Sequence, residues 1–555
     1  MLNIVPVTKF KIQHYMLRHN ENAGKNHYST MKVKFSITIL FVFICITARA
    51  QSITNNRTID IDVRQVKGLL PKSINLCVGA GRANEGLRAD WQRQLKIAHQ
   101  ECGFKYIRFH GLLSDDMGVY FEDKNGKPVY NWQYIDELFD YLQSIQMKPF
   151  VEVGFMPGAL ASGPQTIFWW RGNVTPPKDY QKWDDLIKAL VKHWTQRYGE
   201  KEVASWYFEI WNEPNLKGGF FTGRQQDYFK LYKETATAIK SVSASYRVGG
   251  PATAGNAWIP EMIAFCAQQK VPIDFISTHD YGVKQGFLDA TGNTGTVLSQ
   301  NRYAIADNMR RSKKEIKESV MPNLELHYTE WSASYTPSDP IHDSYHEAAY
   351  ILNTVKAAAP DVNSMSYWTF TDIFEEAGPR TTPFHGGFGL MNYQDIKKPA
   401  YYAFKYLNQL GKTELKCADS SAMICKDVKG NIQALIWDFT IDHPGDSVNN
   451  QVFYKRNLPS KSLPPMHLKL RGLKAGKYIL SVYKTGYMAN DPYTAYFKMG
   501  SPSQLSIEQV KMLKQKDNDV PVERETIVVG ASGQFEKQFA LRQNDVFFIK
   551  LTRID

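Results

Sequence analysis

Cysteine is scarce in this chain: there are six in 555 residues, one of which, Cys45, sits in a leader-like segment. The remaining five are an odd number, which excludes a scaffold held together by disulfides. Cys417 and Cys425 are near enough in sequence to pair across a hairpin, the alternative being two buried free thiols. Also missing is an apolar run of about 20 residues, the length that spans a bilayer. The nearest to it, Phe35 to Ile46, is too short; it follows a basic start (Met31, Lys32, Lys34) and precedes Ala48-Arg49-Ala50. That order reads as a secretory signal peptide over residues 31–50, with cleavage before Gln51, Met31 as the true start and residues 1–30 as an over-extended reading frame. Cys45 follows Ile44 rather than a small residue, so no lipid anchor is expected. The product is expected to be exported, periplasmic or extracellular, with no membrane anchor after cleavage.

Other absences narrow the function. The net charge of +12 is not a nucleic-acid signal, because the first fifty residues hold seven Lys/Arg and one Asp/Glu, a surplus of six, which is half of the total. The charged stretch Lys511 to Lys516 has no interleaved aromatics. His346-Glu347-Ala348-Ala349-Tyr350 begins like a zinc-protease helix but carries Tyr where the second ligand belongs. Gly472 to Lys477 lacks the spacing of a phosphate loop, and no internal repeat is visible. No metal, no cofactor and no nucleic-acid partner is expected.

What is present is core-forming material: 43% hydrophobic and 13% aromatic residues, enough for two or three domains. From about residue 73 to 405, short β-branched or aromatic runs alternate with helical periodicity. Candidate strands are Ile74 to Val78, Tyr106 to His110, Lys148 to Gly154, Trp206 to Trp211, Arg247 to Gly250, Asp274 to His279, Glu325 to Glu330 and Met365 to Phe370. Eight such units predict an α/β fold, a (β/α)8 TIM barrel over 73–405. An open doubly wound sheet is disfavoured because Gly79-Ala80-Gly81-Arg82-Ala83-Asn84 lacks a third glycine and opens no helix. Beyond about 406 the helical period gives way to alternating strands, which predicts an antiparallel β-sandwich over 406–555. Within 51–72, the alternation of Ile59, Ile61 and Val63 predicts an N-terminal strand joining that sandwich.

In a barrel of this kind the C-terminal ends of the strands face the active-site mouth, so polar residues there carry the chemistry. Two strands end in glutamate: Tyr207 to Asn215, containing Asn212-Glu213-Pro214, and Leu326 to Trp331, containing Glu330. Cleavage of a glycosidic bond needs one carboxyl to protonate the leaving oxygen and one to attack or stabilise the anomeric carbon. Spacing alone does not say which is which.

The chain resembles family 39 of the glycoside hydrolases, the β-xylosidase and α-L-iduronidase family, over roughly residues 59 to 405. The matching text is Arg108-Phe109-His110-Gly111, Ser114-Asp115-Asp116-Met117, Lys148 to Glu152, Phe208 to Asn215, Thr278-His279-Asp280-Tyr281 and Thr329-Glu330-Trp331. The resemblance implies a retaining enzyme with Glu213 as acid/base, Glu330 as nucleophile, and Asn212 holding the hydroxyl beside the anomeric carbon. It implies that His110, His279 and Tyr281 line the sugar subsite. Tyr367 to Glu376 is similar to the xylosidase branch, in which the glutamates at Glu375 and Glu376 bind hydroxyls. Trp368, Trp331 and Phe221 are candidates to face the sugar. Glu213 must be protonated near neutrality, through desolvation or the charge of Glu330, while Glu330 stays ionised.

The implied activity is a secreted retaining exo-glycosidase on plant-type oligosaccharides, foremost a β-xylosidase. Alternatives are a hydrolase of the same family for an arabinoside, galactoside or iduronide, and a non-catalytic carbohydrate-binding relative. Iduronide is the weaker option because no Arg or Lys precedes Arg380 in the eighth-strand segment. The partner expected is an oligosaccharide substrate; composition does not set the oligomeric state.

Overall fold

The computed structural model describes residues 57–216, 218–288 and 294–554. The leader features read at residues 1–50, and the first residues of the 51–72 segment, lie outside the described residues.

Eight parallel strands close into a barrel in sequence order: β1 (Cys77–Arg82), β2 (Tyr106–His110), β3 (Lys148–Val153), β4 (Tyr207–Ile210), β5 (Arg247–Ala254), β6 (Phe275–Tyr281), β7 (Glu325–Ser332) and β8 (Ser364–Tyr367). The major helices between and after them are α1 (Ala89–Cys102), α2 (Gln133–Ser144), α3 (Tyr180–Tyr198), α4 (Gln225–Val242), α5 (Ile259–Gln269), α6 (Ala304–Lys317), α7 (His346–Ala358) and α8 (Pro399–Asn408). Helix α3 shows why these segments are helical. Trp183, Leu186, Ile187, Leu190, Val191 and Trp194 recur on one face and are all buried. The Asp179 carboxylate caps its start by accepting from the Gln181 and Lys182 amides, and Gly199 ends it.

Strand boundaries moved in two informative places. Ile74 lies in a short 3-10 turn (Lys72–Asn75), and β1 begins at Cys77 and runs through Gly79-Ala80-Gly81. Those glycines serve close approach rather than a turn: a Cβ on Gly79 would stand 2.3 Å from the Trp368 ring, and one on Gly81 would stand 2.4 Å from the Glu85 carboxylate. At the eighth strand, pairing stops at Tyr367, which leaves Trp368 to open the loop over the mouth.

Inside the barrel the two-residue period of the strands stacks side chains in layers. The lower layer is Cys77, Tyr106, Phe150, Tyr207 and Phe275, with His327 against the last three rings. Two residues further along the same strands stand Gly79, Arg108, Glu152, Glu209, Ser277 and Thr329. This second layer is polar and fully buried, and it forms the floor of the site.

The C-terminal part is a two-sheet sandwich. A seven-stranded antiparallel sheet orders Val66–Leu69, Thr413–Leu415, Ala422–Lys426, Ile432–Trp437, Val546–Arg553, Gly476–Thr485 and Glu523–Val529. Facing it across a separate apolar core is a sheet of Arg57–Asp62, Met466–Arg471 and Phe535–Phe539. The strand Arg57–Asp62 pairs parallel to Met466–Arg471, with Ile59 opposite Leu468 and Ile61 opposite Leu470. The sandwich is therefore antiparallel apart from this one pair, which a connection as long as the whole barrel allows. Ile59, Ile61 and Val63 are buried in its core, and a full burial of an Ile side chain is worth roughly 1.5–3 kcal/mol. Cys417 and Cys425 are free thiols; in the sheet register Cys425 lies opposite Glu414.

Candidate active site

The site is assembled around one guanidinium. Arg108 enters the barrel from β2 with no solvent exposure. Its Nε donates to Glu209 Oε2 at 2.8 Å and its Nη2 to Asn212 Oδ1 at 2.8 Å. Nη2 also stands 2.8 Å from Glu152 Oε2, and Nη1 pairs with Glu330 Oε1. The rigid fork of Arg suits this role, since it directs several donors at separate carboxylates in fixed geometry. The neighbouring Glu209, Glu152 and Glu330 charges hold its proton even more firmly than usual, although burial works against the charge.

Glu330 reaches this cluster because β7 is irregular. Its partner β6 matches Thr278 with Tyr328 but His279 with Glu330, so one residue of β7 is skipped. Strict alternation from His327 would send Thr329 inward and Glu330 outward. The bulge turns both to the interior, which is the use such irregularities commonly have beside functional sites. Tyr281, at the end of β6, then donates its hydroxyl to Glu330 Oε2 at 2.6 Å.

Glu213 arrives differently. After β4 the backbone leaves the strand with positive φ at two non-glycine residues, Trp211 (φ 71°) and Glu213 (φ 42°). Such conformations cost of order 1–3 kcal/mol each and persist where the surroundings enforce them. Here Trp211 is locked by its indole N–H on the Phe220 carbonyl (2.7 Å), and the Glu213 amide donates to the Ala252 carbonyl (2.8 Å). The Glu213 carboxyl meets His279 Nδ1 at 2.9 Å. Burial raises its pKa from 4.5 to about 7. Desolvation is the leading cause, and the neighbouring Glu152 charge works in the same direction against the His110 and Arg108 charges. Burial also holds His279 down at about 4 and so keeps it neutral.

Glu213, His279 and Glu330 each offer an atom within 4.8 Å of the other two. The two carboxyls open into a cavity of about 600 Å³, a size typical of small-ligand sites. Of the residues singled out from sequence, His110, Asn212, Tyr281, Trp368 and Glu376 line that cavity with them. His279 stands directly behind Glu213 with no exposure. His110 Nδ1 lies 2.6 Å from Glu152 Oε2, which turns its Nε2 toward Glu330 (3.6 Å) and Glu376 (3.7 Å). Burial, with the Glu330, Glu85 and Glu213 charges, pushes the Glu376 carboxyl well above its ordinary value.

Three expectations are corrected. Glu375 lies outside the cavity lining: its oxygens pair with Arg82 (3.1 Å) and Arg88 (3.0 Å), so adjacent glutamates point to opposite sides of the loop. Trp331 is fully buried edge-on to Tyr367, on the outward side of β7 past the bulge. Phe221 packs on Trp211 and Tyr228, and it is its neighbour Phe220 that lines the cavity.

Arg108, Glu152, Glu209 and Thr329 received no role from the sequence. A signal existed for the first three, since an ionisable residue at an inward position of an otherwise apolar strand needs a buried partner. The apolar part of the lining, including Leu216, Tyr335 and Phe388 from loops and Val283 from the start of a hairpin strand (Val283–Leu288), left no such trace.

The chain matches the family model described as glycosyl hydrolases family 39 over residues 57–535. It is 42% identical over 443 residues to a β-xylosidase of Caldicellulosiruptor saccharolyticus, covering 79% of this chain and 86% of that protein. The crystal structure of a family 39 enzyme from Xanthomonas axonopodis pv. citri superposes with a TM-score of 0.87 at 44% identity, covering 90% of this chain and 98% of the other. That of a monomeric β-xylosidase from Caulobacter crescentus CB15 gives 0.87 at 42% identity, covering 90% and 100%.

Proposed function

The chain belongs to glycosyl hydrolase family 39 and hydrolyses glycosidic bonds, and on that premise we propose that it is an exported β-xylosidase that acts with retention. The observation that carries the proposal is the pair of carboxyls, Glu213 and Glu330, with one oxygen of each within 4.8 Å of the other on the lining of one cavity. Inverting enzymes leave room for a water, with carboxyls roughly 6.5–9.5 Å apart, whereas retaining ones bring them to about 5–5.5 Å.

In this reading Glu330, held by Arg108 and Tyr281, attacks the anomeric carbon. Glu213, neutral below about pH 7, gives its proton to the departing oxygen. A covalent glycosyl-enzyme results and the Glu330 charge is discharged. Glu213, now a carboxylate, takes a proton from water, whose oxygen attacks the anomeric carbon and releases Glu330. Asn212, fixed by its oxygen on Arg108, keeps its amide N–H groups for the hydroxyl next to that carbon. His110, Glu376 and Trp368 supply the polar contacts and the aromatic face of the sugar subsite.

A pentose without a carboxylate fits this lining better than a uronic acid does: among the described residues lining the cavity there is no Lys or Arg. Export is supported by the basic start, apolar run and Ala48-Arg49-Ala50 of the leader. The test is a panel of 4-nitrophenyl and 4-methylumbelliferyl glycosides followed by NMR of the first-formed anomer. Preference for the β-D-xyloside with β-xylose appearing first supports the proposal. Preference for an arabinoside, galactoside or iduronide, or α-xylose first, refutes it, and release from none of them favours a binding protein.

A further inference from the structure

We infer that Thr329 and Glu209 act through His279 as positioning residues for Glu213, forming a one-way hydrogen-bond chain that lets the neutral acid, but not its anion, be satisfied. The inference rests on the acid/base role proposed for Glu213.

The direction of the chain follows from its far end. Glu209 is fully buried and its Oε2 is taken by Arg108 Nε at 2.8 Å. A carboxylate paired with a guanidinium is an acceptor only, so the Thr329 hydroxyl, 2.7 Å from Glu209 Oε1, spends its single hydrogen there. A protonated Glu209 would forfeit its ion pair with Arg108, and both side chains are fully buried. Thr329 Oγ1 also lies 3.1 Å from His279 Nε2. With its hydrogen committed, that oxygen accepts, and the imidazole hydrogen is on Nε2. A neutral imidazole with Nε2–H has only a lone pair at Nδ1. The group facing Nδ1 at 2.9 Å, Glu213 Oε1, must then be the donor. The chain reads Glu213 to His279 to Thr329 to Glu209, whose other oxygen accepts from Arg108.

Two consequences follow. Protonated Glu213 makes a hydrogen bond that ionised Glu213 would replace by an oxygen facing a nitrogen lone pair, and a bond to the neutral form favours that form. The proton stays on the carboxyl until a glycosidic oxygen competes for it, and the same chain makes the Glu213 anion a stronger base toward water in the second step. The other ionisable groups around Glu213 and its cavity are Arg108 and His110 on β2, Glu152 on β3, Asp280 and Tyr281 on β6, Glu330 on β7, Tyr335 after it and Glu376 beyond β8, and burial raises Asp280 to about 7 as well. None of them is in hydrogen-bond contact with its Oε1, whereas His279 is. Strand alternation from His327 already turns Thr329 inward, and the bulge in β7 adds Glu330 beside it.

The decisive variant is Thr329→Val, which keeps the shape and removes the hydroxyl; Thr329→Ser is its rescue. In Thr329→Val the alkaline limb of kcat/KM should move to lower pH by about one unit. The loss of kcat/KM on xylobiose, which needs acid assistance, should exceed the loss on 2,4-dinitrophenyl β-xyloside, which does not, by at least about tenfold. Thr329→Ser should recover both. An unmoved limb, or equal losses on the two substrates, overturns the inference. Because Thr329 adjoins Glu330, the tautomer is also read in the unmodified enzyme by 15N NMR of labelled histidine, with the His279 signal assigned by its loss in His279→Asn. Hydrogen on Nε2 supports the chain, and hydrogen on Nδ1 overturns it. Should the role of Glu213 be wrong instead, Glu213→Gln will fail to discriminate between the two substrates.

Discussion

Replacing Glu213 by Gln tests the site most directly, because it keeps the size and a donor toward His279 while removing the ionisable proton. General acid assistance is worth about 10²–10⁴ in rate, so the loss on a substrate with a poor leaving group, such as xylobiose, is expected in that range, or about 3–5 kcal/mol of barrier. A 2,4-dinitrophenyl xyloside, whose leaving group departs unaided, should lose far less in its first step. The pH profile should change with it. In the unmodified enzyme kcat/KM is expected to fall as pH rises through about 7, where the buried acid ionises, and the variant should lack that limb. Stability gives a second readout. A carboxyl raised from 4.5 to about 7 on folding destabilises the folded state progressively as pH rises between those values, reaching about 3 kcal/mol above pH 7. A neutral amide escapes that cost, so Glu213→Gln should be the more stable protein at pH 8 and gain little at pH 5, as read by urea unfolding. A loss of rate independent of leaving group, or a variant less stable at pH 8 than the parent, would refute the assignment of Glu213 as a buried acid.

Three further outcomes are expected. Glu330→Ala should lose nearly all activity, and azide should restore turnover with the α-xylosyl azide as product; the retained β-azide would mean that the two glutamates have exchanged roles. Trp368→Ala removes the aromatic wall of the cavity beside His110, 4.9 Å between ring centroids, and should raise KM for a xyloside by roughly 2- to 10-fold from lost stacking of about 0.5–1.5 kcal/mol; an unchanged KM refutes a sugar-facing role. Lys398 is buried between Asp343 (2.6 Å) and Asp372 (2.7 Å), and Lys398→Met strands both carboxylates, so unfolding free energy should drop by about 3–5 kcal/mol; a change below 1 kcal/mol by denaturant titration would show that the ion triad is not what holds the loop beyond β8.

Much of this protein could be read locally. The eight strands, the amphipathic helices and the shift to a two-residue alternation after residue 406 follow from periodicity, because a helix or strand that must bury one face announces it at 3.6- or 2-residue spacing. The two strand-end glutamates were legible for a related reason, since a polar residue ending an apolar barrel strand stands at the mouth, whereas His110, His279 and Tyr281 were singled out only through the family resemblance. What periodicity could not reach was decided by contacts between residues far apart in the chain. Glu330 and Thr329 face inward together only because β7 slips one residue against β6, and an offset of one residue exchanges the two faces of a strand. That same slip moved Trp331 away from the sugar. Glu376 and not Glu375 enters the cavity because Arg82 and Arg88, nearly 300 residues earlier, capture the other carboxylate. Arg108 became the hub of the site once closure of the barrel brought Glu152, Glu209 and Glu330 around it. The protonation states on which the proposed chemistry depends are likewise properties of that enclosure, since it is removal from water, available only in the closed barrel, that keeps Glu213 neutral.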